Sequence, residues 1–180
     1  MSDDSPRGAD ATLVVGADEV AHERACRHLV GEETGDCLRV TTDESDAHVC
    51  TEAIPAFEDG VVFGDMELTE VGVAFSEAVG NYDSAGEETL QVCLDGLPHV
   101  EEDPAREALF RFLHAAIARV RTVGGECHAH LDASASTELV HVVEPLFDTV
   151  LEVENEAEGS EDVVGAARAW SELDAEPTRI

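Results

Sequence analysis

Apolar residues enter this chain in short, separated blocks of two kinds. The first kind is five or six residues long and predicts strands: 12–16 (Thr-Leu-Val-Val-Gly), 37–41, 60–64, 90–95, 127–132 and 149–153. Of these, the continuous run 12–16 reads as a strand buried on both faces, and 90–95 is the strongest buried-strand candidate. The second kind repeats at helical spacing. Val20, Ala21, Ala25, Leu29 and Val30 follow Asp18, a good N-cap, and stop at Gly31. Leu68, Val71, Gly72, Phe75, Ala78 and Val79 make a second amphipathic helix, bounded by Gly80 and Asn81. The clearest helix spans about 104–123, with Pro104 in its first turn, a stripe of Leu109, Phe112, Leu113, Ala116, Ile117 and Val120, and Gly124-Gly125 as its stop. A last helix is predicted over about 134–147, distorted near Pro145.

Strands alternating with helices predict parallel strands joined by crossovers, hence a three-layer α/β/α sandwich with a mainly parallel central sheet. The chain of 180 residues suits one such domain, over 11–154. It is flanked by a disordered start, 1–10, and an acidic tail, 155–180, in which Val163, Val164, Ala167 and Trp170 are spaced for one short helix. Residues 43–59 are polar with weak apolar content, and no internal repeat is evident.

Charge changes this picture. Acidic residues number 41 against 10 basic ones, all of them Arg, for a formal charge of −31. In dilute salt such self-repulsion opposes compaction; at molar salt the Debye length falls to about 3 Å and the repulsion is screened. With 43% hydrophobic residues in distinct segments, the chain reads as a salt-adapted globular protein rather than a disordered acidic one. No Lys/Arg-rich face for phosphate backbones is expected, nor a membrane span or export signal, so the expected setting is the cytoplasm. Five widely spaced cysteines without a C-x-x-C pair predict reduced, mostly buried thiols.

The candidate chemistry is concentrated near one strand. His128, His130 and Asp132 alternate, so their side chains share a face, and two imidazoles with a carboxylate are a potential zinc or iron ligand set. The competing reading packs them under a helix. Cys127 should face the opposite side as a structural thiol, and Cys93, inside a strand, reads as core. His114, Arg111 and Arg121 flank the stripe of the long helix, where the arginines are placed to pair with surplus carboxylates or to bind an acidic partner.

Several segments together resemble a known family. Leu68-x-x-Val71-Gly72-Val-Ala-Phe-Ser76, Leu90-Gln-Val-Cys-Leu-Asp95-Gly96-Leu97, the run from Leu109 to Val120, Cys127-His-Ala-His130 and Glu144-Pro-Leu-Phe-Asp148 are similar to a family of halophilic archaea. That family looks like a shortened, degenerate relative of the RecA and KaiC ATPases. The resemblance implies a truncated RecA-like, P-loop NTPase-like topology over roughly 11–153, with Asp95 as a vestigial counterpart of the magnesium-binding Walker B acid. Active relatives carry G-x-x-x-x-G-K-[ST] after the first strand. Here Val15-Gly16-Ala-Asp-Glu-Val-Ala-His22 has one glycine, no Lys, and two carboxylates where a triphosphate would sit. The resemblance therefore implies a pseudo-ATPase rather than an enzyme, with no cofactor. Its expected role is a non-catalytic regulatory or scaffolding protein acting through another protein, or through self-association, in signalling, transcriptional control or cell organisation. The alternative is a metal or small-ligand sensor working at the carboxyl ends of the strands.

Overall fold

The computed structural model describes residues 11–30, 37–41, 61–62, 67–82, 89–98, 100–132 and 137–153. The chain order is β1 (Ala11–Gly16), α1 (Glu19–Val30), β2 (Cys37–Thr41), β3 (Val61–Val62), α2 (Leu68–Asn81), β4 (Gln91–Asp95), α3 (Asp103–Thr122), β5 (Glu126–Asp132), α4 (Thr137–Val143), a 3-10 turn (Glu144–Leu146) and β6 (Thr149–Glu152). The six strands form one sheet in the order β3-β2-β4-β5-β1-β6. Every pairing within it is parallel. The α/β/α sandwich expected from the sequence is thus the fold. The expectations for 1–10, 43–59 and 155–180, including the short helix around Val163 to Trp170, lie outside the described residues.

The two faces of the sheet differ sharply in chemistry. One carries Leu13, Val15, Leu38, Val40, Val92, Leu94, Cys127, Ala129 and Leu131, in a single apolar core with α2, α3 and α4. Helix α3 supplies Leu109, Phe112, Leu113, Ala116, Ile117 and Val120 to it, all buried. At about 1.5–3 kcal/mol for each large side chain removed from water, this stripe alone is a major part of the folding drive. Phe75 of α2 meets Phe112 edge-on, with ring centroids 6.3 Å apart, and locks the two helices together.

The other face holds the alternate residues, among them Arg39 and Thr41 on β2, Cys93 and Asp95 on β4, and His128 and His130 on β5. Among the described helices, α1 is the one that packs over it, against β1 and β5. Register aligns these side chains in rows. Arg39 is level with Cys93, and Cys93 with His128, while Thr41 is level with Asp95.

Local differences from the sequence reading have simple causes. The described part of the last helix, Thr137–Val143, gives way to a 3-10 turn, because Pro145 has no amide to continue an α-helical ladder. In α1, Val20 is 52% exposed, and the buried face is instead Ala21, His22, Ala25, Cys26 and Val30. A stripe partly built of His and Cys is invisible to an apolar-spacing rule.

Candidate metal centre

Helix α1 starts two residues after β1. Asp18 accepts a hydrogen bond from the Ala21 amide on its Oδ1 at 2.8 Å, and its carbonyl takes the His22 amide at 3.0 Å. That start sets the helix phase. His22 and Cys26, one turn apart, face the sheet together, and the small Ala21 and Ala25 beside them let the backbone approach closely. Both polar side chains are wholly excluded from solvent, at 0% exposure. Such groups are costly in a protein interior unless bonded.

They are bonded to one another and to the sheet. His22 Nε2 lies 2.8 Å from the carbonyl oxygen of Gly16, and His22 Nδ1 lies 2.9 Å from His130 Nδ1. Cys26 Sγ is 3.1 Å from His128 Nε2 and 3.9 Å from Cys93 Sγ. The rings of His128 and His130 meet edge-on with centroids 5.2 Å apart.

Cys26, Cys93, His128 and His130 each offer one ligand atom, and these four atoms all lie within 4.8 Å of one another. A tetrahedral zinc with bonds of about 2.3 Å to sulfur and about 2.05 Å to nitrogen requires edges of about 3.8 Å between sulfurs, about 3.6 Å between sulfur and nitrogen, and about 3.3 Å between nitrogens. The observed 3.9 Å and 3.1 Å are close to two of those edges. With every separation within 4.8 Å, gathering the set around one ion changes any of them by at most about 1.5 Å. The charges fit as well. Two thiolates and two neutral imidazoles cancel a divalent cation, leaving no net charge in a buried site. Sulfur and imidazole donors favour zinc and other soft or borderline ions over magnesium or calcium.

Of the residues singled out in the sequence, His128 and His130 are central to this group. Asp132 is not part of it. It shares their face, but stands exposed at the carboxyl end of β5 and is not among the four converging donors. Its place in the ligand set is taken by Cys26 and Cys93. Asp95 is fully buried, and its Oδ2 accepts the Arg39 Nε–H at 3.1 Å and an Nη2–H at 3.0 Å. That ion pair adjoins the metal group on the same face. Cys127 does face the opposite side, in the apolar core, and burial pushes its thiol up to about 12 despite the opposing effect of Arg121. Cys93 is buried as expected, but on the polar face rather than in the apolar core. His114 stacks on Phe110, Arg111 pairs with Glu107, and Arg121 binds Asp148 at 2.6 Å. None of these three joins the cluster.

The residues that sequence reasoning missed, His22, Cys26 and the ligand role of Cys93, did leave a signal. His-x-x-x-Cys on a predicted helix places an imidazole and a thiol on one face, as His-x-His does on a strand. Comparison with curated proteins gives no match. The model of a family of unknown function, DUF7504, matches residues 51–153, a span that contains Cys93, His128 and His130 and leaves α1 outside. Since that span is more than half of the chain, the protein belongs to this family.

Proposed function

We propose that this chain is a non-catalytic regulatory module whose structure depends on a zinc-class ion held by Cys26, Cys93, His128 and His130, and that it acts on another protein in the cytoplasm. The observation that carries the reading is the convergence of four soft donors, all buried, within 4.8 Å. A site closed by four protein ligands is characteristic of structural zinc, whereas catalytic zinc keeps a position open for water or substrate. The metal-binding alternative read from the sequence is thereby supported as far as the ion itself, with the ion holding the fold and the folded surface as the output.

The test is metal analysis of protein purified in molar KCl under reducing conditions, without chelator. One equivalent of zinc per chain is expected, and the Cys26→Ser/Cys93→Ser variant should retain less than a tenth of it. Protein that takes up no zinc or cobalt when either is supplied in excess would overturn the reading.

The pseudo-ATPase scaffold is kept as a second reading because the nucleotide positions implied by the RecA resemblance are engaged otherwise. Asp18 caps the start of α1, so a carboxylate occupies the amide end where a phosphate would bind. Asp95, the vestigial metal-binding acid, is engaged by Arg39. Both observations support a chain without nucleotide hydrolysis. Saturable ATP binding with turnover would refute that part.

A further inference from the structure

We propose that His22 is the positioning residue of the metal centre: it does not bind the ion, but fixes the tautomer of His130 so that His130 presents Nε2 to it. This rests on the metal-binding reading above and adds a role for a residue outside the ligand set.

The argument begins at an atom with no choice. The Gly16 carbonyl oxygen only accepts, so the 2.8 Å contact requires His22 Nε2 to carry the proton and donate. With Nε2 donating to that carbonyl, the other ring nitrogen of the neutral tautomer, Nδ1, is the acceptor. The 2.9 Å contact between the two Nδ1 atoms is a hydrogen bond only if His130 Nδ1 carries a proton and donates it. Neutral His130 protonated at Nδ1 has its lone pair on Nε2, the form that ligates a metal. The carbonyl, one imidazole and a second imidazole form a one-way relay of the kind that orients metal-bound histidines elsewhere.

The origin of the relay is also held in place. Gly16 ends β1 against β6, where the Val153 amide bonds the Val15 carbonyl at 2.8 Å. A Cβ added at Gly16 would come within 2.4 Å of the Val153 carbonyl oxygen. Glycine thus lets the two backbones close together, and the carbonyl that sets the tautomer is fixed by the sheet rather than by a free loop. At the far end, the His22 and His130 rings meet at 61° with centroids 5.1 Å apart, so His22 also limits rotation of the ligand ring.

The experiment compares the full chain with its His22→Gln and His22→Leu variants in molar KCl under reducing conditions. Cobalt(II) serves as the optical probe, and zinc affinity is measured by competition with a chromogenic chelator. Glutamine can donate to Gly16 and accept from His130, so His22→Gln should stay within about threefold of the parent, while His22→Leu weakens binding by about 10–100-fold. Both variants should keep the parent's thiolate-to-cobalt charge-transfer and d–d bands, because the four ligands are unchanged. An unchanged affinity in His22→Leu, or altered d–d bands showing that His22 is itself a ligand, would overturn the proposal. If His22→Leu does not fold, nitrogen-15 NMR of the metal-loaded parent decides instead: a proton on His130 Nδ1 supports the relay, and one on Nε2 overturns it. A parent chain that shows no cobalt bands refutes the metal reading itself, which separates that failure from failure of the relay.

Discussion

Replacing Arg39 by Met removes a cation from opposite a carboxylate that has no access to water. Asp95 is 0% exposed and the Arg39 side chain 13%, so solvent screens the pair very little. Two N–H groups of the guanidinium converge on one carboxylate oxygen, at 3.1 and 3.0 Å. Breaking a buried pair by deleting one partner costs about 3–5 kcal/mol, because the remaining charge is left uncompensated. Exposed pairs are worth about 0–1 kcal/mol. For a chain of this length, each kcal/mol corresponds to about 2–4 °C in Tm, so Arg39→Met should melt about 6–20 °C below the parent. The double variant Arg39→Met/Asp95→Leu removes both charges and should recover most of that loss, since apolar replacement of a buried pair is often neutral. Urea unfolding followed by far-UV circular dichroism, at constant molar KCl, measures all three proteins. A loss below about 1 kcal/mol in Arg39→Met, or a double variant no more stable than the single one, would refute the claim that this pair is a buried electrostatic unit.

Four further outcomes are expected. A zinc chelator in excess should lower the Tm of the metal-loaded protein, with the loss growing with the initial free zinc concentration and reaching about 4 kcal/mol where that concentration was 1,000 times Kd; differential scanning calorimetry reads this directly. Leu113→Ala, at a position with 0% exposure under the apolar face of the sheet, should cost about 2–5 kcal/mol in urea unfolding and leave zinc content unchanged. Gly16→Ala must push β6 away from β1, with a cost of about 1–3 kcal/mol by the same assay, because the added carbon meets the Val153 backbone at 2.4 Å. In timed alkylation read by mass spectrometry, Cys37, only half-buried, should react before Cys127, while Cys26 and Cys93 gain reactivity once metal is stripped.

The fold was legible wherever one physical rule controlled a segment. Continuous apolar runs mark β1 and β4 because both faces of a central parallel strand are covered, and α3 is plain because its six core residues keep strict helical spacing. Strand order was not legible. Nothing local in 126–132 says that β5 inserts between β1 and β4, yet that insertion brings His128 beside Cys93. The site was half legible for the same reason. His128 and His130 are two residues apart in one strand, whereas Cys26 reaches them only through the packing of α1. For Asp132, alternation reports the face it occupies but not its exposure at the end of the strand.

The separation of the ligands along the chain has a kinetic consequence. Cys26 lies 67 residues before Cys93 and 102 before His128. An ion held among them acts as a reversible cross-link that closes very long loops, and loops of that length are costly to close before the intervening chain is ordered. The ligands converge only once β4 and β5 are paired and α1 has docked over them. On the proposed metal reading, capture of the ion would come after those pairings, and the ion would fasten α1 to the sheet rather than nucleate it.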